Sequence, residues 1–414
     1  MIKMKKYSIS DICKINSRKF INSKFSSIQY LDTGNITRNR INEIKRMEVS
    51  KAPSRAQNQL GPNSIVYSMV RPNLEHFGFF EKPDSDLVVS SGFIILEVKQ
   101  EFIKSIDPKF LYLLITQKSI TKHLSRIAEN SVSSYPSITS KDLSSLSFFF
   151  PSLDEQKNIS NLFFSLEKKI ELNLAINRNL DALARQLYDY WFVQFDFPDE
   201  SGRPYRTSGG KMVWNNRLKR NIPEHWEVVN IFDSVDVQYG FPFSTDSFVD
   251  QDSDVPVVRI RDILNGTVSA YSTEQVGEKY RLSTGDLILG MDGNFHMNLW
   301  CDNKSFLNQR CVRFRQKDNS AVSTLQVMYE IAPYIRAKEQ VAKGSTVGHL
   351  SDKDLKDLWI MTPLNNKYFS ASSTLNHISN LIIENRREIS ELTKLRDDLL
   401  PILLNGQVSI RALR

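Results

Sequence analysis

The amino-acid sequence predicts an α+β protein in which two similar mixed α/β domains, products of an internal duplication, are separated by a pair of long, antiparallel coiled-coil helices. The chain has 414 residues, which is more than one hydrophobic core usually supports. Its second half repeats motifs of the first, and each half ends in a long stripe of apolar residues at helical spacing. Hydrophobic residues make up 41% and charged residues 24% of the chain, a composition typical of globular proteins.

The internal repeat is visible in two short motifs. Residues 138–143 (ITSKDL) match residues 350–355 (LSDKDL), and residues 64–69 (SIVYSM) resemble residues 286–291 (DLILGM). The spacing of the first pair continues without a gap into the region that follows. It aligns Ile170, Asn173, Leu180, Leu183 and Leu187 with Ile382, Asn385, Leu392, Leu395 and Leu399. Because a fixed period marks repeated structural units, both halves are predicted to contain the same series of elements.

Each half begins with a predicted globular domain, residues 1–150 and residues 223–363. Short apolar runs such as residues 92–98 (GFIILEV) are typical of strands. One stretch in each domain, residues 110–128 and residues 321–341, instead has apolar residues at helical spacing. Each globular domain is therefore predicted to be mixed α and β.

A long helix is predicted after each globular domain, over residues 151–195 and residues 364–410. The first begins with Ser152 and Glu155, which fit the capping box that satisfies the free N–H groups of a helix start. Apolar residues then recur at alternating three- and four-residue steps, as in coiled coils, where a seam asparagine fixes the register. The residues predicted to pair the helices are Leu162, Leu166, Asn173, Leu180, Leu183, Leu187, Ile378, Asn385, Leu392, Leu395 and Leu399. At about 1.5 Å per residue, such helices would form a spacer roughly 55 to 60 Å long.

Residues 196–222 separate the two halves. They contain several glycines and prolines together with charges of both signs, which is typical of linkers. A domain boundary is predicted in this segment.

The bulk composition favours a polyanionic partner. Lys and Arg together number 54 against 47 for Asp and Glu, giving a net charge of +7, which suits nucleic acid. The three cysteines have no C-x-x-C spacing, so neither a disulfide framework nor a zinc site is predicted. The first residues carry lysines without an apolar core, and no apolar run approaches the ~18 residues of a membrane span. We therefore expect a cytoplasmic protein with no membrane association.

Catalytic motifs are largely missing from the sequence. It has no glycine-rich dinucleotide or P-loop pattern, no Asn/Asp-Pro-Pro-Tyr/Phe run of the adenine methyltransferases, and no metal-ligating histidine spacing. Asp84, Glu97 and Lys99 have the outline of a PD-(D/E)xK nuclease centre, but residues 311–315 (CVRFR) of the second half lack the acidic-x-Lys element. We therefore predict no catalytic residue, no metal site and no cofactor in this chain. A stand-alone metal-dependent nuclease, a non-catalytic coiled-coil scaffold and an RNA-binding protein stay open as alternatives.

Several longer motifs carry a resemblance to a known family. Residues 153–157 (LDEQK), 169–173 (KIELN), 190–196 (YWFVQFD), 222–228 (IPEHWEV) and 395–401 (LRDDLLP) are similar, in order and spacing, to motifs of the specificity subunits of type I restriction-modification systems. These motifs cover both helical regions and the start of the second globular domain.

The resemblance implies two target-recognition domains, each of which reads one half of a bipartite sequence in double-stranded DNA, with the paired helices setting the unread spacer. It implies a subunit without catalysis of its own, in a bacterial or archaeal cytoplasm. The expected partners are two methyltransferase subunits, which modify adenine N6 with S-adenosylmethionine, and restriction/translocase subunits, which use ATP and Mg²⁺. The helices would offer docking surface for the methyltransferase subunits.

The candidate DNA contacts are polar and cationic residues beside predicted strands and turns. Arg, Asn and Gln side chains can hydrogen-bond to base edges, and Lys, Arg, Ser and Thr can contact phosphates. In the first domain the candidates are Arg55, Gln57, Asn58, Arg71 and Ser134. In the second they are Arg259, Arg261, Asn294, Gln309, Arg310, Ser345 and Thr346.

Overall fold

The computed structural model divides the chain into two compact units. Unit 1 consists of Met1–Lys169 with Leu392–Arg414, and unit 2 of Ile170–Glu391, so the division falls within the two long helices. The residues described by the structure are 4–21, 24–131, 135–250, 253, 255–318, 320, 322–342, 348–364, 369–408 and 410.

Unit 1 is built around two four-stranded sheets. Its strands are β1 (Lys5–Ser8), β2 (Cys13–Ile15), β3 (Ser27–Leu31), β4 (Ile36–Thr37), β5 (Arg40–Ile41), β6 (Lys45–Glu48), β7 (Ala56–Gln59), β8 (Ser64–Ser68), β9 (Phe77–Phe80), β10 (Leu87–Ser90), β11 (Phe93–Val98) and β12 (Ser147–Phe150). Its helices are α1 (Ile9–Ile12), α2 (Pro108–Ile115), α3 (Lys118–Glu129), α4 (Ser140–Ser144) and the first part of α5 (Leu153–Tyr188). One sheet has the order β2-β11-β8-β9, and the other has the order β6-β3-β10-β7. The pair β3 and β10 is parallel, whereas β1 and β12 form a separate antiparallel ladder.

Unit 2 repeats this arrangement. Its strands are β13 (Met212–Asn215), β14 (Arg220–Pro223), β15 (Trp226–Asn230), β16 (Val235–Tyr239), β17 (Phe248–Val249), β18 (Val255–Val258), β19 (Ala270–Ser272), β20 (Leu287–Gly290), β21 (Met297–Leu299), β22 (Phe306–Leu307), β23 (Cys311–Gln316) and β24 (Trp359–Pro363). Its helices are α6 (Ile231–Ser234), α7 (Ile260–Ile263), α8 (Thr324–Ala342), α9 (Asp352–Lys356) and most of α10 (Phe369–Leu404). The order β16-β23-β20-β21 corresponds to the first sheet of unit 1, and β17-β19-β18-β22 is the second sheet. Here β18 and β22 are the parallel pair, and β15 and β24 form the separate ladder. The predicted α+β duplication is confirmed.

The repeated sequence motif forms the same local structure in both units. In α4, Thr139 and Asp142 form a reciprocal capping box, and in α9 the same contacts join Ser351 and Asp354. Each box satisfies two otherwise free N–H donors at a helix start. The motif is recognisable in the sequence because capping needs these residue types at this spacing.

The cores of both units are rich in aromatic residues. In unit 1, Phe110, Phe150 and Phe163 pack with Leu403 and Leu404 from the end of α10. In unit 2, the central cluster contains strand residues such as Phe314, residues Ile378 and Ile382 of α10, and the aromatic segment that follows α5. Each unit therefore uses parts of both long helices to close its own core.

The long helix α5 begins where the capping box predicted it and has 36 residues. The hydroxyl of Ser152 accepts a hydrogen bond from the N–H of Glu155 at 3.3 Å. After Tyr188 the chain continues as one π-helical turn, Asp189–Val193.

The face that α5 buries is displaced from the predicted stripe. Of the predicted pairing residues, Asn173 and Ile378 are buried, Leu162, Leu166, Leu180, Leu187, Asn385, Leu392 and Leu399 are partly buried, and Leu183 and Leu395 are exposed. The buried positions of α5 include Phe163, Ile170, Asn177, Ala184 and Tyr188. The prediction for Leu183 (44% exposed) and Leu395 (46% exposed) was therefore wrong. Phe163, Ile170, Asn177 and Ala184 still repeat every seven residues, so the predicted period is kept and a neighbouring face of the helix is turned inward. The physical reason is that the seven-residue pattern sets the period, whereas the side chains that pack against the helix decide which face is buried.

The segment expected to be a linker, residues 196–222, is folded. Strand β13 pairs with β14 in an antiparallel hairpin. The rings of Phe197 and Tyr205 stack at a centroid distance of 4.8 Å, and Phe197 also stacks on Trp226 at 5.1 Å. The glycines and prolines form turns around these aromatic rings, whose burial outweighs the cost of ordering the segment.

Candidate DNA-recognition surface

Three connections meet at the same place in each unit. In unit 1, the N–H of Met69 donates to the carbonyl of Gly92 at 2.9 Å, and the N–H of Ile138 donates to the carbonyl of Met69 at 2.8 Å. These bonds join the end of β8, the turn before β11 and the loop before α4. We call residues 69–76, 90–92 and 135–138 the unit 1 loop surface.

Unit 2 contains the same bonds at equivalent positions. The N–H of Met291 donates to the carbonyl of Arg310 at 2.9 Å, and the N–H of Leu350 donates to the carbonyl of Met291 at 2.8 Å. We call residues 291–296, 308–310 and 348–350 the unit 2 loop surface. Because a rigid sheet holds these loops, they can carry different side chains without a change of fold.

Three of the predicted DNA-contact residues come together on the unit 2 loop surface. Asn294, Gln309 and Arg310 are all exposed there. The guanidinium of Arg310 donates a hydrogen bond to one carboxylate oxygen of Asp292, and Nδ1 of His349 contacts the other. Partial burial acts to raise the pKa of Asp292, but the hydrogen bonds with Arg310 and His349 hold it below its usual value. Asp292 therefore stays ionised and positions the Arg310 cation at the surface.

Arg259 and Arg261 lie beside this surface. The N–H of Asn308 donates to the carbonyl of Val258 at 3.1 Å, which places the end of β18 next to the unit 2 loop surface. The Arg259 guanidinium is tied inside the unit, since Nη2 donates to the Ser269 carbonyl at 2.9 Å. Arg261 is exposed on the short helix α7. Of these two residues, Arg261 has the more accessible side chain.

On the unit 1 loop surface, Arg71 is exposed, with its guanidinium carbon 5.4 Å from the ring centroid of Tyr135. Arg55 is also exposed. It lies beside this surface, because the N–H of Ser91 donates to the backbone carbonyl of Arg55 at 2.7 Å. Gln57 is also exposed and lines an open depression of about 400 Å³. The structure therefore brings two of the predicted residues, Arg55 and Arg71, onto or beside this surface.

The prediction for Asn58 was wrong. The residue is only 2% exposed, and its side-chain oxygen Oδ1 accepts a hydrogen bond from Nζ of Lys19 at 2.9 Å. Successive side chains of a strand point to opposite faces, so Gln57 faces solvent while Asn58 faces inward. Ser134, Ser345 and Thr346 lie outside the residues that the structure describes.

Sequence reasoning missed three residues of the loop surfaces: Tyr135, Asp292 and His349. Tyr135 and His349 come shortly before the repeated ITSKDL and LSDKDL motifs, and Asp292 follows the DLILGM motif. Their positions beside repeats were the available signal. An isolated tyrosine or histidine has no spacing pattern of its own, so only the fold could bring them to the arginines.

The groups of the nuclease-like motif make structural contacts. Glu97 accepts hydrogen bonds from Arg18 and from the hydroxyl of Ser64, at 3.0 and 3.1 Å. Nζ of Lys99 donates to the carbonyls of Ser10 and Asp11. Among the described residues, no cluster of three or more His, Cys, Asp or Glu side chains could hold a metal ion. Glu97 and Lys99 thus stabilise the fold of unit 1.

The two units share one fold and carry equivalent loop surfaces. The family model described as "Type I restriction modification DNA specificity domain" matches residues 1–182 and 223–394. The chain therefore belongs to this family of DNA-specificity proteins, and the resemblance found in the sequence is confirmed.

The chain is similar to curated specificity subunits over almost its whole length. It is 23% identical over 458 residues to the type I restriction enzyme HindI specificity subunit of Haemophilus influenzae, covering 98% of this chain and 99% of that protein. It is also 23% identical over 385 residues to the MjaIX specificity subunit of Methanocaldococcus jannaschii, covering 90% and 84%. A crystal structure of the type I restriction-modification S subunit from M. genitalium has the same fold, with a TM-score of 0.57, 15% identity, and coverage of 97% and 96%. In the part of the chain that the structure describes, no helix is long and apolar enough to cross a membrane.

Proposed function

We propose that this chain supplies the target specificity of a type I restriction-modification complex, with unit 1 reading one half of a bipartite DNA sequence and unit 2 reading the other. One observation carries the proposal: the two loop surfaces share a backbone arrangement but carry different side chains. Gly92 in unit 1 corresponds to Arg310 in unit 2, since each accepts the same hydrogen bond from the residue after the preceding strand. Two domains that share a backbone fold but differ in their surface side chains can recognise two different DNA sequences.

The cationic groups of these surfaces fit duplex DNA. Arg55, Arg71, Arg261 and Arg310 are exposed, and arginine contacts both phosphates and the edge of guanine. Phosphate contacts would make the affinity fall steeply with salt concentration, whereas contacts to base edges would set the sequence preference.

The long helices are proposed to fix the unread spacer. In unit 2, Asn173 Nδ2 donates to Glu388 Oε2 at 2.7 Å, and Asn385 Nδ2 donates to Asn177 Oδ1 at 3.2 Å. In unit 1, the Arg396 guanidinium pairs with Glu167. A shift of one helix along the other would break these polar pairs, so they support one fixed register. A fixed register is what a molecular ruler requires.

The partners proposed for the chain are two methyltransferase subunits and the restriction/translocase subunits. Those subunits would supply the chemistry, with S-adenosylmethionine for adenine N6 methylation and ATP and Mg²⁺ for restriction. Since the DNA to be protected or cut lies in a bacterial or archaeal cytoplasm, we place the complex there.

An exposed apolar stripe on α5 and the turn after it supports methyltransferase docking. Leu172, Ile176, Leu183 and Tyr190 are 53%, 38%, 44% and 37% exposed and fall on one helix face, given a turn of about 100° per residue. Exposed apolar side chains that share one helix face are common at protein interfaces. We propose that a methyltransferase subunit covers it.

The experiment that tests the function is co-expression of this chain with its neighbouring methyltransferase subunit, followed by genome-wide mapping of N6-methyladenine. We expect a bipartite methylated motif that is present only with this chain. When residues 1–150 are exchanged for those of another specificity subunit, one half of the motif should change and the other half should persist. A stable complex that produces no motif would contradict the proposal, and a motif that changes in both halves would contradict the assignment of one reader to each unit.

A further inference from the structure

Arg71 occupies a backbone position that favours glycine. Its φ is 49°, in the left-handed region. The equivalent residue of unit 2 is Gly293, which follows Met291 as Arg71 follows Met69 and has a φ of 69°. Left-handed backbone carries no steric penalty for glycine, but it brings the Cβ of other residues too close to the backbone.

The fold imposes this conformation in both units. The N–H of Arg71 donates to the carbonyl of Pro136 at 2.9 Å, and the N–H of Gly293 donates to the carbonyl of Gly348 at 2.9 Å. Both bonds join the loop after a central strand to the loop before the capped helix. Unit 1 therefore carries an arginine at a position where the duplicated fold is relaxed with glycine, and residues retained in such strained positions cluster at functional sites.

The side chain of Arg71 is presented outward. It is exposed and lies over the ring of Tyr135 at 5.4 Å, and Tyr135 is itself 59% exposed. Among the described residues, no carboxylate forms an ion pair with Arg71, in contrast to Arg310, which pairs with Asp292. A guanidinium at this distance over an aromatic face is attracted to the ring and restrained beside it, and its N–H groups can still donate hydrogen bonds.

We propose that Arg71, oriented by Tyr135, reads a guanine in the half-site bound by unit 1, and that unit 2 has no counterpart of this contact because Gly293 occupies the equivalent position. A planar guanidinium donates two parallel hydrogen bonds to O6 and N7 of guanine in the major groove. The inference rests on the proposed function, and it adds the base and the residue that distinguish the two half-sites.

The test substitutes Arg71→Gly in the full chain, assembled with its methyltransferase subunit. The matched control is Lys219→Gly, because Lys219 is another exposed cation with a left-handed backbone, at a φ of 50°, in the turn between β13 and β14. Both substitutions relieve the same kind of strain, so thermal stability should be unchanged or raised in both variants. Only Arg71→Gly should lower the preference for guanine at one position of the first half-site, by about 10- to 100-fold, with the second half-site unchanged.

The variant Arg71→Lys separates base reading from phosphate binding. Lysine keeps the charge but lacks the planar fork, so it should reduce the guanine preference while retaining most of the salt dependence of binding. If Arg71→Gly weakens binding equally for all sequences and Arg71→Lys restores it, Arg71 contacts a phosphate and the proposal is wrong. An unchanged motif in Arg71→Gly would overturn it as well. A wild-type complex that produces no motif would instead count against the proposed function, so the two failures can be told apart.

Discussion

The stability of unit 2 should depend on pH through one carboxyl group in α8. Oε1 of Glu330 accepts a hydrogen bond from the N–H of Met361 at 2.7 Å, and Oε2 accepts one from Gln326 at 3.3 Å. Burial raises the pKa of Glu330 from 4.5 to about 8, although the bonds from Met361 and Gln326 and the charge of Arg220 act to lower it.

The sign of the effect follows from proton binding. Because the folded state holds this proton more tightly than the unfolded state, the stability is fully present below pH 4.5 and falls as the pH rises towards about 8. At about 1.4 kcal/mol per pKa unit, the shift corresponds to at most about 5 kcal/mol, and we expect about 2 to 5 kcal/mol because the side chain keeps some solvent contact. Glu330→Gln removes the titration and keeps the acceptor for Met361, at a cost of about 1 kcal/mol for the lost bond from Gln326.

Tryptophan fluorescence measures this unit alone. The chain has five tryptophans, and all of them lie in unit 2, at positions Trp191, Trp214, Trp226, Trp300 and Trp359. Urea unfolding followed by fluorescence between about pH 5 and pH 9 should give a free energy of unfolding that falls more steeply for the wild type than for Glu330→Gln. The exposed Glu227→Gln serves as the control and should follow the wild type. Parallel curves for the wild type and Glu330→Gln would refute the reasoning.

Three further predictions concern the helices and the loop surface. Asn177→Ala should lower the stability of unit 2 by about 1 to 3 kcal/mol in urea unfolding, because it leaves the Asn385 amide without its acceptor; no loss would mean that this pair does not stabilise the register. Leu183→Glu should change stability by less than about 0.5 kcal/mol yet weaken methyltransferase binding at least tenfold in sedimentation assays, whereas Ala182→Glu, off the apolar stripe, should bind normally. Arg310→Ala should weaken DNA binding and reduce the slope of log affinity against log salt by about 1; an unchanged slope would exclude a phosphate contact.

The duplication could be predicted because it rests on local patterns. The capping boxes at Thr139 and Ser351 need a hydroxyl and an acid at fixed spacing, so they mark helix starts in the sequence itself. The same holds for Ser152 at the start of α5. The family motifs are likewise contiguous strings, so each of them can be recognised within a single short stretch of the chain.

The candidate site was only partly predictable. The sequence singled out Arg55, Arg71 and Arg310 because exposed arginines beside turns fit DNA contacts. It could not separate Gln57 from the buried Asn58, because which face of a short strand is covered depends on residues elsewhere in the chain, here Lys19, which binds Asn58. It also could not show that Arg71 is left-handed, since that conformation follows from a hydrogen bond to Pro136 far along the chain.

The sequence by itself determined the repeat, the helix starts, the long apolar stripes and the family, because each of these is encoded over short distances along the chain. Only the tertiary structure decided which face of α5 is buried, that residues 196–222 fold against Trp226, and which loops meet to form a surface. Those outcomes depend on contacts between residues that are distant in sequence. The loop surfaces, where such contacts converge, are the parts of the protein that the sequence described least.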